Sequence, residues 1–170
     1  MKNIVLSGFM GTGKTVIGRK LAGRLGVRLV ELDAEIEKAE GMTIKEIFSR
    51  FDEPYFRDRE TAMVKKFAIQ DNVVISTGGG VVLREENMKA LREKGVIVCL
   101  KATPETILKR TSTSGKRPLL NVDDPLKKIR DILDYRQPFY EKADIMIETD
   151  SLSPTEIADE IIRKMKELSG

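Results

Sequence analysis

The residues of this chain most suited to chemistry form one run near its start, Gly8-Phe9-Met10-Gly11-Thr12-Gly13-Lys14-Thr15. The run has the required residue at every fixed position of the pattern G-x-x-x-x-G-K-[ST], which binds nucleotide phosphates. Its glycines let successive backbone N–H groups point into one concavity, and a following helix N-terminus adds positive potential. We therefore predict a nucleotide-phosphate site built by Gly11, Thr12, Gly13, Lys14, Thr15 and Val16.

Two side chains of this run have defined roles in such a site. The ammonium group of Lys14 reaches the β- and γ-phosphates, and the hydroxyl of Thr15 ligates the Mg²⁺ ion that accompanies them. A glycine-rich turn that binds nothing is the alternative. The flanking residues favour the phosphate site, because residues 3–7 predict a buried strand and residues 16–25 predict a helix.

The chain of 170 residues contains no histidine and a single cysteine, Cys99. The lack of histidine excludes Ser-His-Asp triads, histidine-based acid–base catalysis and the common zinc sites. The remaining chemistry must use carboxylates, Lys, Arg, backbone amides and a metal held mainly by oxygen. Phosphoryl transfer matches that inventory, because it depends on positioning and charge neutralisation more than on covalent catalysis.

Length and charge limit the number of domains and the classes of partner that the protein can have. A chain of this length predicts one domain, 1–170, that buries about 70% of its unfolded surface. The formal net charge of +3 gives no general case for nucleic acid as a partner. No apolar run approaches the roughly 20 residues of a membrane span. An N-terminal strand without a cleavable signal, and one cysteine in an apolar run, predict a cytoplasmic protein with a buried thiol.

Strand-like and helical segments alternate along the whole chain. Five apolar strands separated by helices require a parallel sheet that is covered on both faces. With right-handed crossovers, the predicted fold class is a doubly wound α/β domain. Ligands of such sheets bind beyond the carboxyl ends of the strands. The strands are predicted at residues 3–7, 27–32, 72–77, 96–101 and 144–148.

Two further segments follow predicted strands at that edge. Asp33 lies where the second strand gives way to a helix, and it is either a helix cap or a carboxylate that takes the proton of an acceptor hydroxyl. The phosphate loop on a neighbouring strand favours the second role. Gly78-Gly79-Gly80 follows the third strand. Three glycines there pack nothing and cost backbone entropy, so they predict close approach of a ligand to the main chain.

Two groups of cations have competing interpretations. The helix after Pro54 carries Arg57 among alternating charges, which by itself is the pattern of a solvated helix face. The polar stretch 111–124, which contains Arg117, exceeds the usual connection of about 4–6 residues. It is either a disordered connector or a lid that brings cations onto the transferred phosphoryl group.

Arg136 belongs to the run Arg136-Gln137-Pro138-Phe139-Tyr140 in a long helix that starts near Pro125. Proline within this helix is expected to end or kink it. Such a break turns the arginine inward, and a surface helix end is the alternative.

Together these motifs resemble those of the shikimate kinase family across essentially the whole chain. The phosphate loop alone indicates only a P-loop protein, whereas the combination is specific. The resemblance implies a fold of the nucleoside-monophosphate-kinase type with sheet order 2-3-1-4-5. It also implies transfer of the ATP γ-phosphoryl group to the 3-hydroxyl of shikimate. The matching features are Gly8 to Thr15, Asp33, Phe56-Arg57-Asp58-Arg59-Glu60, Gly78-Gly79-Gly80, Arg117-Pro118-Leu119-Leu120 and Arg136-x-Pro-x-Tyr140.

The resemblance implies how the acceptor is bound. The helices within residues 33–62 form the substrate-binding part, where Asp33 binds the acceptor hydroxyls and serves as base or positioner. Arg57 and Arg136 bind the shikimate carboxylate. The glycines Gly78, Gly79 and Gly80 line the same substrate, the last two through backbone amides. Glu60 orients Arg57.

The resemblance also implies how the nucleotide is bound. Arg117 comes from the lid, residues 111–124, toward the phosphates, and Arg110 lies against the adenine. The catalytic residues are then Lys14, Asp33 and Arg117. Where the family often has two aspartates separated by one residue, this chain has Glu31-Leu32-Asp33.

The partners implied are ATP, Mg²⁺ and shikimate, and a monomer is expected. Another small-metabolite kinase of similar fold, such as gluconate kinase, is the nearest alternative. The joint presence of the Phe56-Arg57 element, the three glycines and the Arg136 motif disfavours it. A non-enzymatic ATP-dependent regulator is the second alternative, and an acceptor-side acid with a separate anion site speaks against it.

Overall fold

The computed structural model describes residues 1–112 and 122–170 of the chain. Within them, five parallel strands form one sheet: β1 Asn3–Ser7, β2 Arg28–Glu31, β3 Val73–Ser76, β4 Gly95–Lys101 and β5 Ile145–Glu148. Their order is β2-β3-β1-β4-β5, which confirms the predicted fold class and strand order. The central strands β1, β3 and β4 are almost entirely buried, as a sheet covered on both faces requires.

Helices connect these strands. Gly26 and Gly41 end two of them in the left-handed conformation, and Ser153 forms a capping box with Glu156 at the start of the last helix. A short 3₁₀ turn at Val81–Leu83 was not predicted. The helices are α1 Lys14–Leu25, α2 Leu32–Glu40, α3 Ile44–Arg50, α4 Glu53–Ala68, α5 Glu85–Lys94, α6 Pro104–Thr111, α7 Pro125–Tyr140 and α8 Pro154–Ser169.

The core has two layers, one on each face of the sheet. Alternate residues of β1 point to opposite faces, so Ile4 and Leu6 pack with the apolar sides of α1 and α8. Val5 packs on the other face with residues of α4, α5 and α7. This arrangement fixes α4 and α7, which carry Arg57 and Arg136, against the same side of the sheet.

Pro138 was expected to end or kink α7, and the first alternative is wrong, because the helix continues to Tyr140. Proline lacks only its own N–H and therefore removes one helical hydrogen bond. The next turn is retained, since the Glu141 N–H donates to the Gln137 carbonyl at 3.0 Å. Arg136 consequently lies on a continuous helix rather than at its end.

The strand register brings three predicted site segments to one edge of the sheet. Leu6 of β1, Ser76 of β3 and Glu31 of β2 lie side by side in the parallel ladder. Two residues further along each strand, the chain reaches the phosphate loop, the glycine run and Asp33 respectively. A ligand site is therefore expected at the carboxyl edge of the sheet.

None of the helices formed by the described residues is long and apolar enough to cross a bilayer. Cys99 is buried in β4, as predicted. Burial raises the pKa of its thiol to about 11, so the group remains protonated near neutral pH.

Candidate active site

The loop between β1 and α1 is shaped by glycines with positive φ and by a hydrogen bond between two of its own residues. Gly13 has a φ of 97° and is the N-cap of α1, which begins at Lys14. Gly8 also has positive φ, and a side chain there would collide with the backbone of β4. The buried Thr12 hydroxyl donates to the Phe9 carbonyl at 2.7 Å. The first turn of α1 carries no acidic residue, so the positive end of its dipole is left for an anion.

The Lys14 ammonium group lies against this loop. It donates to the carbonyl oxygens of Gly8 and Phe9, at 2.6 and 2.9 Å. Thr15 beside it is half-buried, and Val16 is exposed. A phosphate group that enters the loop can replace these carbonyls as the partner of the ammonium group.

Arg110, at the end of α6, flanks the phosphate loop on its other side. Its guanidinium donates to the Gly11 carbonyl and to the Thr149 hydroxyl, both at 3.2 Å. The side chain is exposed. These contacts put Arg110 at the border of the loop, and its contact with adenine stays a prediction.

Asp33 lies in the first turn of α2, beside the glycine run that follows β3. The residue is exposed, and Glu31 rather than Asp33 is the N-cap of the helix. A methyl group at Gly78 would lie 2.8 Å from Asp33 Oδ1. The structure therefore places the carboxylate against the backbone of Gly78, within the same edge of the sheet as the phosphate loop.

Arg57 reaches the glycine run from α4. Its side chain is only 12% exposed, and its guanidinium forms ion pairs with Glu60 at 2.9 Å and Glu53 at 3.2 Å. Burial lowers the pKa of Arg57, but the two carboxylates outweigh burial and raise it above its ordinary value. A methyl group at Gly80 would collide with the guanidinium.

Glu60 is the buried partner that holds Arg57. Its side chain is 1% exposed, and its Oε1 accepts from Arg57 Nη1. In the part of the chain that the structure describes, its Oε2 has no hydrogen-bond partner. Burial is the main reason why the pKa of Glu60 is raised, and Arg57 opposes that shift.

Arg136 reaches the same glycine run from α7, and it differs from Arg57 in its partners. It is 9% exposed, and its guanidinium lies over the Phe9 ring, 5.9 Å from the centroid. A methyl group at Gly79 would lie 3.0 Å from Arg136 Nη1. None of the described carboxylates lies within ion-pair distance of Arg136, although its positive charge opposes the rise in the pKa of Glu60. A buried guanidinium with no direct carboxylate partner is costly, so an anionic ligand would be favoured beside it.

The three glycines thus lie beside three different predicted site residues. A methyl group would approach Asp33 at Gly78, Arg136 at Gly79 and Arg57 at Gly80. The sequence predicted close approach of a ligand to this backbone. The structure adds a second reason for glycine, since any side chain here would displace a carboxylate or a guanidinium.

Arg117 and most of the predicted lid, 111–124, lie outside the described residues.

Tyr140 is a site residue to which the sequence assigned no role. Its phenol donates to the Gly79 carbonyl at 2.7 Å. Its spacing of four residues from Arg136 on one helix is the signal that could have placed it beside that residue.

Comparisons with known proteins agree on one family. The family model described as Shikimate kinase matches residues 10–166. The chain is 52% identical to a shikimate kinase of Thermodesulfovibrio yellowstonii, over all of this chain and 98% of the other. It is 49% identical to a shikimate kinase of Caldanaerobacter subterraneus subsp. tengcongensis, over all of this chain and 99% of the other.

A solved structure supports the same conclusion. Shikimate kinase from Acinetobacter baumannii, in complex with shikimate, superposes with a TM-score of 0.94 and is 38% identical. The match covers 98% of this chain and 94% of that one.

Proposed function

The chain belongs to the shikimate kinase family, and we propose how its own residues bind the two substrates of that reaction. It is an ATP-dependent phosphotransferase that transfers the γ-phosphoryl group to the 3-hydroxyl of shikimate, giving shikimate 3-phosphate and ADP. Membership of the family decides against a gluconate kinase and against a regulator without catalysis.

One observation carries the assignment of the acceptor side. Arg136 is buried without a carboxylate partner, opposite the ion-paired Arg57, and both guanidinium groups contact the glycine run. Two such groups suit one small carboxylate, because guanidinium binds carboxylate through paired N–H donors. In this proposal the carboxylate of shikimate forms the direct ion pair that Arg136 does not make with any described residue, and Gly78, Gly79 and Gly80 line the bound acid.

Asp33 is the group we propose to act on the acceptor hydroxyl. The residue is exposed at the carboxyl edge of the sheet, and its carboxylate lies against Gly78, the first residue of the glycine run that Arg57 and Arg136 reach. A carboxylate oxygen there accepts the proton of the 3-hydroxyl while the hydroxyl oxygen attacks the γ-phosphorus. The new P–O bond forms as the bond from the γ-phosphorus to the leaving oxygen of ADP breaks.

The phosphate loop, at the same edge of the sheet, binds ATP in this proposal. Backbone N–H groups from Gly11 to Val16 surround the phosphates, and the Lys14 ammonium group exchanges its loop carbonyls for phosphate oxygens. Arg110 borders the nucleotide through its place beside Gly11. Arg117 is proposed to come from the lid, and its position is outside the described residues.

The start of α1 suits Mg²⁺, because its Thr15 hydroxyl offers the hard oxygen ligand that this ion prefers. The Thr15 hydroxyl is half-buried at the start of α1 and is the residue we propose to hold the ion. Mg²⁺, if bound with ATP, would supply positive charge that offsets the charge of the phosphates. One protein hydroxyl would be enough to hold it, because Mg²⁺ bound with a nucleotide needs few protein ligands.

We extend the proposal to a monomer that acts in the cytoplasm. The only cysteine is a buried thiol, which requires no oxidising compartment.

The test is release of ADP with and without shikimate. We expect ADP release that depends strongly on shikimate and is lost in the Lys14→Ala variant. A slow ATPase or a nucleotide-binding regulator would release ADP at the same rate in both conditions, and that result would contradict the assignment.

A further inference from the structure

Tyr140 is a buried polar residue that the proposed mechanism does not use. It is the last residue of α7, is 5% exposed and packs in the core beside Phe9 and Cys99. Its phenol O–H donates to the carbonyl oxygen of Gly79 at 2.7 Å. That carbonyl belongs to the peptide between the two glycines that contact Arg136 and Arg57.

The same phenol also interacts with Arg136. The two residues are four apart on one helix, so their side chains lie on the same face. A methyl group at Gly79 would lie 3.0 Å from Arg136 Nη1 and 3.6 Å from the Tyr140 oxygen. A phenol oxygen accepts a hydrogen bond while its proton is donated elsewhere, so it can serve both neighbours at once.

The hydrogen bond from Tyr140 holds the peptide between Gly79 and Gly80. Glycine on both sides of the peptide allows it to rotate readily. The local turn is held by the Gly78 and Gly80 carbonyls, which accept from Val81 and Leu83 at 3.3 and 3.1 Å. The peptide is trans, so its C=O and N–H point in opposite directions. A Gly79 carbonyl held on Tyr140 therefore directs the Gly80 N–H away from Tyr140.

We infer that Tyr140 is a positioning residue for shikimate, which fixes the Gly79–Gly80 peptide and the Arg136 guanidinium relative to each other. This inference rests on the proposed role of Arg136 and the glycines in binding the acceptor. Burial raises the pKa of the phenol to about 12, and Arg136 opposes that shift. The phenol therefore keeps the proton that it donates to Gly79 throughout the neutral range.

The variant Tyr140→Phe tests the inference, because it keeps the ring and removes only the hydroxyl. Tyr135→Phe is the matched control, since Tyr135 lies on the same helix and is 67% exposed. We expect the shikimate KM of Tyr140→Phe to rise about tenfold or more, with a smaller change in kcat and an ATP KM within about twofold of the parent. The control should match the parent in all three.

Two outcomes would overturn the inference. A shikimate KM equal to that of the control, with only a lower Tm, would make the phenol a purely structural group. An equal rise in the KM values of both substrates would mean general damage to the site. If the parent itself shows no shikimate-dependent ADP release, the proposed function fails instead.

A second measurement needs no variant. The chain has only 3 tyrosines, so labelling their phenol carbons with ¹³C gives few NMR signals to assign. Titration with shikimate should shift the Tyr140 signal and leave that of Tyr135 in place. A Tyr140 signal that ignores saturating shikimate would contradict the inference even if the phenylalanine variant failed to fold.

Discussion

The phosphate loop and the acceptor side of this site differ in how the chain builds them. The loop is eight consecutive residues, 8–15, shaped by backbone conformation and by contacts within itself, such as that of Thr12 with Phe9. The acceptor side combines Asp33, Arg57 and Arg136, which come from three helices far apart in sequence and meet at one glycine run. The geometry of the phosphate loop therefore depends mainly on its own short run of residues. The geometry of the acceptor side depends on how the three helices pack.

The two sides also differ in how their cations are compensated. Lys14 already has carbonyl partners within its own loop. On the acceptor side, Arg57 is paired with a deeply buried carboxylate, and Arg136 has no ion-pair partner among the described residues. The acceptor side therefore carries an electrostatic cost that its ligand relieves.

The largest effect is expected where the two sides meet. Asp33→Asn should lower kcat by about 10²–10⁴-fold, because the amide keeps the shape but cannot accept the hydroxyl proton. Affinity for ATP should change little. Single-turnover and steady-state rates would be measured with Glu35→Gln, on the same helix, as control. A near-normal kcat would reduce Asp33 to a binding residue and leave the two sides without a shared catalytic group.

Substitution of Gly80 is expected to have a smaller effect, and only on the binding of shikimate. In Gly80→Ala the new methyl group displaces the Arg57 guanidinium, although the backbone conformation there, φ −96°, suits alanine. We expect the shikimate KM to rise between about tenfold and 10²-fold, and the ATP KM to stay unchanged. Gly23→Ala is the control, since a methyl group there meets no atom within 4 Å. Equal KM values in the two variants would show that the spacing of Arg57 from this backbone is unimportant.

The smallest effect concerns stability and its dependence on pH. The pKa of Glu60 is raised in the folded state above its ordinary 4.5, so folding favours the protonated form. Its contribution to the free energy of unfolding is complete below that ordinary value and is lost as pH rises through the raised pKa. Glu60→Gln lacks this loss, so its Tm relative to the parent should increase as pH rises.

The same variant should bind shikimate less well, by about tenfold or less, because Arg57 loses a charged partner. Thermal unfolding from pH 4 to 8 and shikimate KM at neutral pH would measure both effects. A Tm difference that does not vary with pH, or one that falls as pH rises, would contradict the account of Glu60.

Features set by short stretches of sequence were predicted well. The five parallel strands follow from apolar runs, and the capping box at Ser153 follows from side chains three residues apart. The phosphate loop is equally local. The strand order, by contrast, came from the resemblance to a family, since periodicity does not state which strands are neighbours.

Features that depend on tertiary packing were predicted less well. Pro138 was expected to end or kink α7, but a single missing N–H near the end of a packed helix did not end the helix there. Arg57 alone looked like part of a solvated face, and only the fold shows that it turns inward toward Gly80. The contact of Tyr140 with Gly79 joins residues 61 apart in sequence, and no local pattern contains it. The roles of these side chains remain predictions.

The central claim is that the two sides bind their ligands independently. Isothermal titration of Lys14→Ala and Arg136→Ala, each with shikimate and with a non-hydrolysable ATP analogue, tests it directly. Loss of one partner of a close charge pair typically costs about 2–5 kcal/mol, so each variant should lose well over tenfold in affinity for one ligand.

We expect Lys14→Ala to lose affinity for the ATP analogue and to keep the shikimate Kd of the parent. Arg136→Ala should lose affinity for shikimate and keep the Kd of the parent for the ATP analogue. If Arg136→Ala binds shikimate normally, or if either variant loses both ligands equally, the division of the site into two separately built sides is wrong.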